Sequence, residues 1–361
     1  MKILIVQDFL RSGGTERQSI LLANAWAATG HATTLLTFRP GGKLASTVAP
    51  SVKRHTLQAF DFGLDWYAPR LRATATALAP DVILCMGRMA NCYGASLQSS
   101  HPRPPVIATL RTGKPLPALF RRSLHRVRHV VANSSEARNA LTEKYQVPPQ
   151  KTSVIHNALV FPAGAVTGAA EDHRARYGAT AATKIFLCVA MFRPEKNQRE
   201  LIEIMAGLPA TLDWQLWLAG EGPARRACED LVAQQQLGAR VKFLGFQAAP
   251  TALYQCADVA VHASWSEALS NFLIEAQAAG LPAVVYQAQG MEECFIPGVT
   301  GWAVAREDRT AFRTNLLQLI STDPITSRKR ADQAAKFARN TFDPDRQVAA
   351  YLQLFRQLSP P

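Results

Sequence analysis

Ser264-Trp265-Ser266-Glu267-Ala268-Leu269-Ser270-Asn271-Phe272-Leu273-Ile274-Glu275-Ala276-Gln277-Ala278-Ala279-Gly280-Leu281-Pro282 changes its chemistry three times. The apolar run before it, Val259–His262, reads as a buried strand that ends at about Ala263. A short polar loop then carries Glu267. From Asn271 the apolar spacing becomes helical, with Glu275 near the N-terminal end, and Gly280-Leu281-Pro282 stops the helix. Such a helix aims its dipole and free N–H groups at whatever lies beyond the strand. A glutamate favoured by the dipole would account for Glu275, but not for the segment as a whole.

Outward from this segment the same rhythm repeats. Strands are expected at Ile185–Ala190, Gln215–Ala219, Val241–Leu244, Val259–His262 and Ala283–Tyr286, with helices opening near Asn197, Pro223, Asn271 and Arg309 and closing helices around Ile325–Asn340 and Pro344–Leu358. The first half alternates likewise. Its strands are expected at Lys2–Asp8, Ala32–Phe38, Val52–Leu57, Asp81–Met86, Val106–Leu110, His129–Asn133 and Ser153–His156. Its helices are expected over Thr15–Ala28, Tyr67–Leu78, Ala90–Gln98, Leu116–Val127 and Glu136–Tyr145. Continuous apolar strands such as Val-Ile-Leu-Cys at 82–85 suit a parallel sheet covered on both faces. The stretch 161–183, rich in Gly, Ala, Pro and Thr, breaks the rhythm and reads as a linker. The expected organisation is an α/β chain of two doubly wound domains, 1–160 and 184–342, with 343–361 as a last helix. Ligands belong at the C-terminal strand ends.

The 361 residues exceed what one core usually supports. No apolar run approaches the roughly 18–20 residues that span a bilayer, and the N-terminus turns polar too soon for a signal peptide, so a cytoplasmic location is expected. Six scattered cysteines with no C-x-x-C pair read as reduced, mostly buried thiols, without a metal site. Residues 1–160 hold 20 Lys/Arg against 7 Asp/Glu, whereas residues 161–361 hold 20 of each. The whole surplus of 13 therefore sits in the first half. That asymmetry points to an anionic partner there, be it a phosphorylated acceptor, an anionic membrane surface or nucleic acid; an idle basic surface is the plainer reading.

Two further segments carry candidate chemistry. After the first strand, Arg11-Ser12-Gly13-Gly14-Thr15-Glu16-Arg17 opens directly into a helix, so the backbone at Gly13 and Gly14 can approach an anion closely; a tight turn explains it as well. At the start of the second domain, Met191-Phe192-Arg193-Pro194-Glu195-Lys196-Asn197 places two cations at a strand-to-helix switch. They can meet one diphosphate there, or form an ordinary surface pair.

Glu267, seven intervening residues, then Glu275 and Ala-x-Ala-x-Gly-x-Pro resemble the E-x7-E signature of retaining glycosyltransferases of family 4, which have the GT-B architecture of two Rossmann-like domains facing a cleft. Other segments agree in order: Gly13-Gly14 with an acceptor-side glycine loop, Val131-Ala132-Asn133-Ser134 with an inner strand, Val154-Ile155-His156-Asn157 with the interdomain approach, Arg193 with Lys196 as the phosphate-binding pair, Ala219-Gly220-Glu221-Gly222-Pro223 with a G-x-G-P turn, and the Phe243–Phe246 segment and the Gly298–Trp302 turn. Two departures stand out. Asn157-Ala158-Leu159-Val160 replaces a common Asn-Gly-Val-Asp, and Thr109-Leu110-Arg111-Thr112 lacks a common histidine, so that Arg111 is expected to face an acceptor phosphate instead.

The resemblance implies roles. Glu275 accepts from ribose hydroxyls, Glu267 orients the sugar, and the N–H groups of Ala268, Leu269, Ser270 and Asn271, with Gly220 nearby, meet the sugar and the distal phosphate. Arg193 and Lys196 stabilise the diphosphate leaving group, with no metal or other cofactor, and Gly13, Gly14 and Arg111 form the acceptor side. The implied reaction moves a sugar from a nucleotide-sugar donor, commonly a UDP-sugar, to a glycan, phosphorylated or lipid-linked acceptor with retained configuration. A nucleotide-sugar epimerase shares this fold and donor site. A nucleic-acid-binding protein lacks interleaved aromatic and basic residues, so no nucleic-acid partner is expected. Finally, Arg111–Arg128 carries six basic and no acidic residues around a stripe of Leu116, Leu119, Phe120 and Leu124. The stripe either docks on an anionic leaflet or packs on the sheet.

Overall fold

The computed structural model describes residues 1–98, 104–159, 169–247 and 250–359, side chains at 169–172 excepted. The chain divides into two compact units, Met1–Val160 with Pro344–Pro361, and Phe161–Asp343. In the first, β1 (Lys2–Gln7), β2 (Ala32–Thr37), β3 (Lys53–Thr56), β4 (Val82–Cys85), β5 (Val106–Leu110), β6 (His129–Ala132) and β7 (Thr152–Val154) pair in the order β3-β2-β1-β4-β5-β6-β7. In the second, β8 (Lys184–Val189), β9 (Trp214–Ala219), β10 (Val241–Gly245), β11 (Val259–His262), β12 (Ala283–Tyr286) and β13 (Gly301–Val304) pair as β10-β9-β8-β11-β12-β13. Neighbouring strands run parallel throughout. Each unit is a Rossmann-like doubly wound sheet, and the pair is the GT-B fold.

The central strands are apolar throughout because helices cover both faces. β4 and β5 are buried at every position. One face of the first sheet packs Phe38, Leu71, Ala90, Leu97, Phe120 and Leu124; the other packs Ile20, Leu22 and Trp26 with Tyr351 and Phe355 of the helix Pro344–Leu358. Trp26 meets Tyr351 and Phe355 edge-on, with centroids 5.9 and 5.2 Å apart. Gln18 fixes the same helix, accepting from Ala158 N at 2.9 Å and from Gln347 Nε2 at 2.9 Å.

The structure corrects some of these expectations and decides between others. In the stretch read as linker, residues 161–168 lie outside the described residues, but the remainder carries a helix, Ala169–Arg176, because its charged second half has helical spacing that the Gly/Ala bias obscures. Gly298–Trp302 is not only a turn, since Gly301 and Trp302 open the edge strand β13. The stripe on the basic helix packs on the sheet: Leu116, Phe120 and Leu124 are buried, and only Leu119 faces outward. All six cysteines are free and buried. Among the described residues no helix is long and apolar enough to cross a membrane.

Candidate functional site

In the second unit the winding reverses between β8 and its neighbour β11, the point of an open α/β sheet at which ligands bind beyond the C-terminal strand ends. Arg193 is extended and begins the single turn Pro194–Lys196, Asn197 takes left-handed φ of 53°, and the helix Gln198–Ala206 follows. The β9 loop braces this turn backbone against backbone. A Cβ on Gly220 would lie 2.0 Å from Ala190 O, and one on Gly222 2.3 Å from Phe192 O. Gly220 thus has a packing role in addition to the one the sequence pattern suggests. The β8 and β11 loops are joined at Glu195, whose carbonyl accepts from Ser264 Oγ at 2.9 Å and Trp265 N at 3.1 Å.

Glu267 is where the charges converge. Its Oε1 accepts from Lys196 Nζ and, at 2.8 Å, from His262 Nε2. Burial alone would push this carboxyl up; the Lys196 ammonium and the His262 hydrogen bond outweigh it and hold the pKa at about 2. An ionised carboxylate only accepts, so Nε2 carries the imidazole proton and Nδ1 is left to face the Cys188 thiol, 3.9 Å away. Burial pushes the His262 pKa down, against the pull of Glu267, and pushes the Cys188 thiol up to about 12. The result is a neutral thiol, a neutral imidazole of defined tautomer, and one anion. With Oε1 doubly engaged, Oε2 accepts from nothing among the described residues, and the side chain is 12% exposed. Lys196 is thus committed to Glu267, while the Arg193 guanidinium makes no ion pair among the described residues.

The helix Asn271–Ala278 begins beside this group, capped by Ser270, whose Oγ accepts from Leu273 N at 3.4 Å. Ala268, Leu269 and Ser270 are buried, and Asn271 is half-buried. Gly290, from the β12 loop, presses on them at φ 71°: a Cβ there would sit 1.9 Å from Ala268 O. Glu275 is 9% exposed, and its Oε2 accepts from Tyr254 Oη at 2.6 Å. Tyr254 in turn stacks on Phe272, which meets His262 edge-on. Neither His262 nor Tyr254 was singled out from the sequence. His262 had a signal, a polar residue closing the buried run Val-Ala-Val five positions before Glu267.

The first unit reverses between β1 and β4, and there the chain's own groups meet at the C-terminal strand ends. Asp8, at the end of β1, accepts from Met89 N at 2.9 Å and Ala90 N at 2.5 Å, capping the short helix Arg88–Cys92. Burial pushes its pKa up to about 7. A Cβ on Gly87 would fall 2.3 Å from the Asp8 carboxylate. Gly13 caps the helix Gly14–Ala28, and the Glu16 carboxylate folds back over it, 2.4 Å from where a Cβ would stand. Arg111 follows β5 with neutral partners, Asn157 Oδ1 and, at 3.5 Å, Tyr351 Oη; burial pushes its pKa down.

The chain is similar to known proteins in sequence and in fold. The chain is 26% identical over 179 residues to N-acetyl-alpha-D-glucosaminyl L-malate synthase of Bacillus anthracis, covering 50% of this chain and 47% of the relative. It is 28% identical over 181 residues to the lipopolysaccharide core biosynthesis glycosyltransferase LpsE of Rhizobium meliloti, covering 50% and 52%. The aligned part thus spans about half the length of these curated relatives. The crystal structure of Anabaena Alr3699/HepE in complex with UDP and glucose superposes with a TM-score of 0.82 at 22% identity, covering 98% of this chain and 99% of that one, a likeness of fold. The profile described as Glycosyltransferase Family 4 matches residues 12–159 and that described as Glycosyl transferases group 1 matches residues 169–340, and on these two matches, which between them take in both units, the chain belongs to the family 4, group 1 glycosyltransferases.

Proposed function

We propose that the chain transfers a sugar, with retained configuration and without a metal, from a nucleoside-diphosphate sugar such as a UDP-sugar to a glycan, phosphorylated or lipid-linked acceptor of the cell envelope, in the cytoplasm and at an anionic membrane surface. The observation that carries this reading is the state of Glu267. It is ionised at the β8/β11 reversal, locked through Oε1, and has Oε2 to spare for a sugar hydroxyl. Arg193, at the start of the turn that carries Lys196, is a cation with no carboxylate partner among the described residues, suited to the charge that grows on a departing diphosphate. Lys196 can share its three N–H donors between Glu267 and that phosphate. Glu275, already accepting from Tyr254, is an acceptor for ribose hydroxyls. On this reading the acceptor hydroxyl enters on the face from which the diphosphate leaves, and Arg111 offers a guanidinium to an anionic acceptor. The names of relatives, an L-malate glucosaminide synthase and a lipopolysaccharide core enzyme, accord with envelope and anionic acceptors.

The test is a panel of nucleoside-diphosphate sugars against melting temperature, since a ligand that binds only the folded state raises it by mass action. A UDP-sugar should raise it in the presence of EDTA, and Glu275→Ala should abolish the rise while keeping the fold. No response to any nucleotide sugar, or donor turnover without any acceptor, would overturn the reading.

A further inference from the structure

The segment between β3 and the helix Leu71–Leu78 is folded inside out. Phe60, Phe62, Trp66 and Tyr67 are 75, 55, 56 and 40% exposed, and Leu64 stands out with them. Its polar groups point the other way. Asp61 is held by both Arg39 Nε and Nη2 at 2.7 and 2.9 Å, and Asp65 by Arg39 Nη1 at 2.7 Å and Arg11 Nη2 at 2.5 Å. Gln58, buried beneath, donates to the carbonyls of Leu64 and Tyr67 at 2.8 and 2.6 Å. Tyr93 Oη donates to the carbonyl of Trp66. Ion pairs and backbone hydrogen bonds thus hold the loop in shape while apolar rings face outward, a contiguous patch of the kind that marks an interaction surface.

The neighbouring element supplies the charge. Tyr93, which holds Trp66, follows Cys92, whose carbonyl accepts from Ser123 Oγ in the middle of the helix Ala118–Arg126 at 3.2 Å. The aromatic loop and that helix also share one face of the sheet, because Leu57, Ala68 and Tyr93 pack into the same apolar cluster as Phe120 and Leu124. The helix turns Arg121, Arg122 and Arg126 outward, together with Leu119 at 60% exposure. We infer that the aromatic loop 60–67 is a membrane wedge, which inserts its rings at the headgroup boundary of an anionic bilayer while the arginines of the adjacent helix meet the lipid phosphates. This rests on, and locates, the membrane association proposed above. Trp and Tyr following Phe and Leu form the composition that settles at that boundary. A carbohydrate platform would pair its rings with free hydrogen-bonding groups, whereas Asp61 and Asp65 are tied to arginines.

The experiment is co-sedimentation of the full chain with phosphatidylcholine vesicles containing about one-third phosphatidylglycerol, against phosphatidylcholine alone, at low and high salt. The expected result is binding to the anionic vesicles alone, weakened by salt, and lowered about tenfold by F60S/F62S/W66S and likewise by R121E/R122E/R126E. Brominated lipid should quench part of the tryptophan emission, and Trp66→Phe should remove that part. A UDP-sugar melting shift retained in these variants keeps the donor site separate from the test. Wild-type binding by the aromatic variant, or quenching unchanged by Trp66→Phe, overturns the wedge and leaves docking to the arginines alone. No binding to either vesicle at low salt overturns both. An oligosaccharide-induced melting shift that the aromatic substitutions abolish, with vesicle binding intact, would reassign the loop to carbohydrate. Should the triple variant unfold, the Trp66→Phe quenching decides.

Discussion

His262 Nε2 lies 2.8 Å from Glu267 Oε1, the oxygen that Lys196 also reaches, so a buried imidazole sets the direction in which Glu267 presents its other oxygen. A hydrogen bond to a charged group is worth about 1.5–3 kcal/mol. His262→Phe should therefore keep the fold but lower kcat roughly 10- to 100-fold, with KM for the donor changed far less. Steady-state kinetics on the purified variant checks this; unchanged kcat would reduce His262 to a packing residue.

The same pair sets an acid limb. Glu267 has a folded pKa of about 2, below the ordinary 4.5, so its contribution to stability is whole above about pH 4.5 and is lost as pH falls toward 2. His262 is also depressed, from 6.5, so it removes stability as pH falls below 6.5, where the unfolded chain takes up a proton that the folded one refuses. The wild type should therefore lose stability, read as its denaturation midpoint, relative to His262→Phe as pH falls from about 6.5, a difference that leaves out Asp8, whose raised pKa of about 7 acts with opposite sign over the same window. In Glu267→Gln the part below pH 4.5 should flatten, by at most about 3 kcal/mol.

Tyr254→Phe removes the hydroxyl that donates to Glu275 Oε2 at 2.6 Å. A buried carboxylate oxygen that loses a donor costs about 1–3 kcal/mol, part of it in stability and part in the pose of Glu275. UDP affinity by calorimetry should fall about 5- to 10-fold, and further in Glu275→Ala. Undiminished affinity in both would place the nucleotide elsewhere.

Two glycines of like backbone angle separate strain from collision. Gly290 and Gly298 have φ of 71° and 70°, yet an added Cβ meets Ala268 O at 1.9 Å in the first and nothing within 4 Å in the second. Gly298→Ala should cost about 1–2 kcal/mol, the price of the left-handed conformation alone. Gly290→Ala should cost more and displace Ala268, next to Glu267, lowering kcat as well. Equal midpoints in urea for the two variants would refute the collision.

Arg193→Ala should lower kcat by about 10²–10³ with little effect on the melting temperature, because the guanidinium makes no ion pair among the described residues that its loss would break. Lys196→Ala should lower both, since it leaves Glu267 with one donor fewer.

Most of the fold was legible in the sequence because a buried parallel strand is written as an apolar run. β5, β11 and β12 have the bounds that the apolar runs predict, and the others shift by a residue or two at their ends. What the sequence hid has physical causes. β13 is an edge strand opened by Gly301, with half-buried Trp302 and Ala303, so it lacks the run. The helix expected at Ala90–Gln98 is broken into Arg88–Cys92 and Gly94–Gln98, and Gly94 accounts for its position: a Cβ there would lie 3.0 Å from Val127. Of the site, the acidic and basic members stood out by type and spacing. Their orienting partners did not, because a histidine and a tyrosine within apolar segments look like packing until a carboxylate is placed against them.

The helix Pro344–Leu358 has a consequence for how the chain acquires its shape. Trp26 and the face of the first sheet around it are finished only by Tyr351 and Phe355, which leave the ribosome after the whole of the second unit. Domains usually complete themselves from the N-terminus as synthesis proceeds. Here the order is inverted: the unit begun first is sealed last, and an apolar face waits in the open for about 180 residues of elongation, which at roughly 5–20 residues per second is some ten to forty seconds of exposure to chaperones or to misassembly.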